Sequence, residues 1–419
     1  MTARDLATAA RPLAPPHAPT LANRILLAVL FVTVLASSVA FIEPSPHDAL
    51  MGVLAAASIV AGVRFARILT LPLMLLLTWN LAGAMALIPV IAEDRTVQYT
   101  ATSVYLALSA ILFASLFSDN TMSRLETTRA AYTISALLAA LAGISGYFSL
   151  FPGAEQLFAP SGRALGPFKD ANVFGPFLIW PALFVIYRML ARRVTLIDLV
   201  VATVLLFALL LSFSRGAWFH FAVSSFVLVS LAFLTAAAPR LRLRILLLAA
   251  LSIAAVTAIL AILLSFGAIG DMFRERAQLI QSYDVGEGGR FRLQELALSS
   301  VLNFPNGMGP FEFARVHGLQ QHNVYLQAFL VYGWAGAMAY FLLVLSTLWA
   351  AFRCALVRSP WQPYLIAALA AFVGEVAEGF VIDTDHWRHF FLLLGMIWGL
   401  VAATMRLAQR NGAPIPVEA

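Results

Sequence analysis

Between short polar breaks, this 419-residue chain repeats apolar stretches long enough to cross a bilayer, which takes roughly 20 residues. With 61% of residues hydrophobic and 11% charged, no soluble core could hide that much apolar surface. The runs predict an all-α polytopic membrane protein with about twelve spans. They lie near 25–42, 47–63, 68–91, 97–117, 130–150, 172–190, 195–213, 216–235, 245–266, 324–351, 362–381 and 389–405. On this division residues 1–24 and 406–419 are tails, 25–266 holds the first nine spans, 267–323 is a long external loop and 324–405 holds the last three. The first run is read as an uncleaved anchor, although Ser38-Val39-Ala40 loosely resembles a cleavage site.

The 27 basic residues and formal charge of +6 raise the question of nucleic acid, but the cations are scattered through the breaks, so none is expected as a partner. With both tails cytoplasmic, seventeen cations fall inside and ten outside, as the positive-inside rule requires. The ten external ones, which include Arg163, Lys169, Arg215, Arg290, Arg292 and Arg388, need another purpose. The single cysteine, Cys354, excludes an internal disulfide and a thiolate metal cluster. No repeat of two six-span halves is visible, which weighs against many transporter architectures.

The long loop carries most of the chemistry. Asp271–Tyr283 has the apolar spacing of an amphipathic helix. Gly286-Glu287-Gly288-Gly289-Arg290-Phe291-Arg292 then sets flexible backbone and cations at a predicted helix start, suited to phosphate oxygens, although a glycine run alone is weak evidence and Arg290 or Arg292 could simply pair with Glu287 or Glu295 on the surface. A turn-rich stretch, Asn303–Pro310, leads to His322-Asn323-Val324-Tyr325-Leu326 at the next span. His322 is placed either to take a proton from a sugar hydroxyl or to cap that helix.

Elsewhere, Phe213-Ser214-Arg215-Gly216-Ala217 interrupts apolar sequence and leaves a cation at a membrane edge. Ser161–Asn172 brings Arg163 and Lys169, with Lys169 able to meet a diphosphate, a sugar or Asp170. Glu375 and Glu378 share one helix face and are expected to partner the external arginines, with proton coupling as the alternative. Asp383, Asp385, His386 and His389 follow no metal-ligand spacing, so no metal is expected there.

Ser214-Arg215-Gly216 after a mid-chain span, Gly289-Arg290 in a long late loop, the Gly307-Met308-Gly309 turn and His322–Leu326 opening the next span together resemble the O-antigen ligase and O-antigen polymerase superfamily of bacterial inner-membrane glycosyltransferases. By motif the resemblance covers about residues 200–350, and by topology the whole chain. It implies metal-independent, cofactor-free transfer of a glycan from undecaprenyl diphosphate, at the periplasmic face, to a hydroxyl of lipid A-core or of another lipid-linked repeat unit. On that resemblance Arg215 and Arg290 grip the diphosphate and His322 is the base. Arg292, Arg163, Lys169, Asn323 and Tyr325 are candidates for substrate contacts. The stretch Phe168–Gly175 also occurs in members tied to exopolysaccharide assembly, which leaves the acceptor open. A transporter of lipid-linked or anionic solutes and an inactive structural subunit are the competing readings.

Overall fold

The computed structural model describes residues 20–263, 265 and 289–412, and its regular structure is helical throughout. Asp271–Tyr283, Gly286 to Gly288, Arg274 and Arg276 lie outside the described residues. The helices are α1 (Leu21–Leu35), α2 (Pro46–Val60), α3 (Thr70–Leu87), α4 (Asp94–Ser118), α5 (Thr121–Tyr147), α6 (Ala154–Phe158), α7 (Ala171–Phe177) and α8 (Ile179–Ala191). There follow α9 (Leu196–Leu211), α10 (Arg215–Thr235), α11 (Pro239–Leu263), α12 (Arg290–Asn303), α13 (Glu312–His317), α14 (Val324–Ala355), α15 (Gln362–Glu378) and α16 (Arg388–Arg410).

Each apolar run holds helix among its described residues, and nine helical stretches among the described residues are long and apolar enough to cross a membrane, consistent with a helical membrane protein. The other three runs make shorter helices, α2, α9 and α15, of 15, 16 and 17 residues. The run at 172–190 is divided into α7 and α8 around Leu178, where Pro176 and Pro181 remove amide donors. The run at 130–150 begins earlier, at Thr121, because Arg124 is buried and its guanidinium donates to the Leu116 and Asp119 carbonyls. That cation closes the α4–α5 turn and is more than a topology signal.

The core forms around α4 against α16, α3 against α14 and α10 against α15, with Trp79, Trp180 and Trp398 fully buried. The long α14 breaks at Gly333, whose φ of 65° and ψ of −175° leave the helix. The turn-rich loop satisfies the freed backbone: Met308 and Gly309 donate to the Leu330 carbonyl, and the Trp334 amide donates to the Pro305 carbonyl. A Cβ at Gly333 would fall 2.6 Å from the Asn306 carbonyl carbon, so the loop seats only against glycine. The Gly307-Met308-Gly309 turn thus pins α12 and the start of α14 to the same end of the bundle.

Candidate functional site

The site is built around the last turn of α15 and the residues after it. Val324, at the start of α14, donates its amide to the Gly379 carbonyl at 2.8 Å, and the Asn323 side-chain amide donates to the Phe380 carbonyl at 3.1 Å. Asn323 also caps α14, accepting from the Tyr325 and Leu326 amides. From α12, the Gln294 side chain reaches the Phe380 carbonyl at 3.4 Å and the His322 carbonyl at 3.5 Å, one helical turn on from Arg290. From α10, Gly216 packs so closely on Glu378 that a methyl there would fall 2.6 Å from its Oε1. Motifs at 214–216, 290–294 and 322–325 therefore meet on one turn.

His322 is half exposed and has a φ of 48°, a left-handed conformation uncommon outside glycine. Its Nδ1 lies 3.7 Å from Asp383 Oδ2, beyond a hydrogen bond but close enough to become one by a small approach. Asp383 is held in turn by the Asn323 amide, 3.0 Å from its Oδ1. Burial pushes the Asp383 carboxyl above its ordinary range, although His322 and the Asn323 amide pull the other way. Asp385 goes in the opposite direction. Burial raises it, but His386 and the hydroxyls of Tyr99 and Tyr332 outweigh that and hold it below the usual range.

Arg215 and Arg290 stand apart by position, because each is the first residue of its helix. A helix N-terminus is positive, so each of these two starts adds backbone N–H groups to its guanidinium as donors suited to an anion. Phe213, two residues before Arg215, has a φ of 46°. The elbow it makes is tied down, with the Ser214 hydroxyl donating to Asn172 Oδ1 at 2.8 Å and capping the Ala217 amide.

Arg163 belongs to that elbow: its guanidinium donates to the Ser212 carbonyl and to Asn172 Oδ1, both at 2.9 Å. It positions the loop before Arg215. Lys169 pairs with Glu43 at 2.9 Å, whereas Asp170, one of the partners open to it by sequence, caps α7. Arg292 pairs with Glu295 three residues on, an exposed contact of little energetic weight. Tyr325 turns inward, donating its hydroxyl to the Val376 carbonyl. Arg388 grips Asp48 with two hydrogen bonds of 2.8 and 2.7 Å. Arg163, Lys169, Arg292 and Arg388 are thus each held by a neighbour within the protein.

The carboxyls in α15 have histidine partners where arginines were expected. His220 on α10 meets Glu378 at 2.8 Å, and His389 on α16 faces Glu375 at 3.3 Å. The sequence reading missed His220, whose only signal is a histidine inside an apolar run, and missed Asp383 as an orienting carboxylate. Among the described residues no three histidine, cysteine or acidic side chains are grouped so as to hold a metal ion. No protein-family model matches the chain, and no curated protein matches it.

Proposed function

We propose that the chain is an O-antigen ligase-type glycosyltransferase of the bacterial inner membrane, with twelve spans, both termini cytoplasmic and its site on the periplasmic side. It would move a glycan from undecaprenyl diphosphate to a sugar hydroxyl of lipid A-core. The observation that carries the reading is the meeting of the Arg215, Arg290 and His322 motifs on the last turn of α15. A diphosphate leaving group needs cations and no proton, and the two arginine-headed helix starts are suited to it. An incoming hydroxyl needs a base, and His322, with Nδ1 toward Asp383, offers its other ring nitrogen.

In this reaction the acceptor oxygen bonds to the anomeric carbon as that carbon's bond to the diphosphate oxygen breaks. His322 takes the hydroxyl proton, and the electron pair leaves with the diphosphate, held by Arg215 and Arg290. A single displacement of this kind inverts the anomeric centre. Asn323 positions Asp383 against His322, while Arg163 fixes the elbow that carries Arg215.

The test is transfer by the purified protein from a lipid-linked donor to lipid A-core. Arg215→Ala, Arg290→Ala and His322→Ala should each slow it by about 10²-fold or more while insertion and purification stay normal; full activity in all three refutes the assignment. In a deletion strain, lipid-linked polymer should accumulate and lipid A-core should lack it. Products of a single repeat unit would instead make the protein a polymerase with a lipid-linked acceptor, and solute flux without any acceptor would make it a transporter.

A further inference from the structure

Beneath the elbow lies a group of ionisable side chains that the transfer reaction does not use. Glu375 and Glu378 are both 0% exposed and project from one face of α15, with His220 and His389 against them. His220 Nε2 is 2.9 Å from the Ala371 carbonyl oxygen, an acceptor only, so this nitrogen must carry a hydrogen. The 2.8 Å contact from Nδ1 to Glu378 Oε2 then needs one proton between the two atoms. It is either an imidazolium on a carboxylate or a neutral imidazole accepting from a carboxylic acid.

Packing keeps this region dry. A Cβ at Gly374 would fall 2.3 Å from His220 Cδ2 and 2.1 Å from Ser224 Oγ, so α10 and α15 touch with no space between them. Two bare carboxylates three residues apart in such a core would repel, and each would lose its hydration. One proton per histidine–glutamate pair removes both penalties by making each pair neutral. The other ionisable groups facing the cluster are Tyr132 on α5, Tyr340 on α14 and Asp170 at the start of α7, with Arg215 next to Gly216 on α10. On α8, which also packs against α15, no residue before Tyr187 ionises.

An exit exists on one side. His389 lines a cavity of about 220 Å³ shared with Tyr132, Asp170, Lys169 and Arg388. We propose that His220, Glu378, Glu375 and His389 form a buried proton-binding site that holds two protons, one in each pair, and exchanges them through this cavity. Each proton taken up converts a pair of net charge −1 into a neutral one, and each proton released passes to solvent at the cavity. The proposal stands on the two pairs and does not depend on the transferase reading.

The experiment treats the full-length protein in detergent with a hydrophobic carbodiimide, which adds to protonated carboxyl groups, and maps the adduct by mass spectrometry. Labelling is expected on Glu375 or Glu378 at mildly acidic pH, with a several-fold loss at alkaline pH. Glu375→Gln and Glu378→Gln should each remove their own adduct. Should either variant fail to fold, infrared spectra of the wild type give the same answer, as a buried carboxylic acid carbonyl band should appear at acidic pH and vanish at alkaline pH. Absence of both adduct and band at every pH overturns the proposal. So does labelling that is blocked by sodium ions and indifferent to pH, which would make the cluster a cation site.

Discussion

Helices α11 and α16 have equal mean hydropathy and opposite places in the molecule. In the apolar window of α16, 83% of residues are buried, against 6% in that of α11. The buried helix has paired polar groups at its start and middle: Arg388 and His389 open it, and Trp398 donates to the Thr347 hydroxyl in its middle. The peripheral helix carries Arg240, Arg242 and Arg244 in its first turns and little but aliphatic side chains beyond them. Hydropathy thus identifies a segment that leaves water without saying whether protein or lipid receives it, because both are apolar.

That contrast can be broken most severely in the core. Trp398→Ala removes a fully buried indole and its hydrogen bond and should destabilise the protein by about 3–5 kcal/mol, read as a lowered unfolding midpoint in detergent. At the site, Arg215→Ala should slow transfer by about 10²–10³ at unchanged unfolding temperature, the usual cost of one lost donor to a developing charge. Asp383→Asn should cost about tenfold or more by releasing His322 from its orienting partner, with the acceptor KM little changed. At the other extreme, Leu251→Ala on the exposed face of α11 should stay within about 0.5 kcal/mol of wild type in the same unfolding measurement. A large loss there would mean that α11 is covered by another protein chain.

Much of the site was legible as separate pieces. Ser214-Arg215-Gly216, Gly289-Arg290 and His322-Asn323 stand out because each breaks an apolar pattern or gathers turn formers. Their partners were not legible. Asp383 follows His322 by sixty-one residues, and Glu378 follows His220 by 158. A carboxylate that orients a histidine and one that merely solvates a loop have the same sequence signature, and Lys169 shows the reverse error, since its adjacent Asp170 caps a helix while the distant Glu43 receives its charge.

By itself the sequence determined what hydrophobic burial and local propensity control: a helical membrane class, the twelve apolar runs and the residues that interrupt them. These follow from sums over neighbouring residues, which tertiary contacts do not alter. Only the tertiary structure decided that α15 is the hub on which three distant motifs meet, that His220 and His389 stand against its two carboxyls, and that α16 is central while α11 is peripheral. Those outcomes depend on which faces interdigitate, on a glycine small enough to admit Glu378, and on a kink at Gly333 that a loop can fill. Close packing selects among arrangements of equal hydropathy, and that selection is made between elements and not within them.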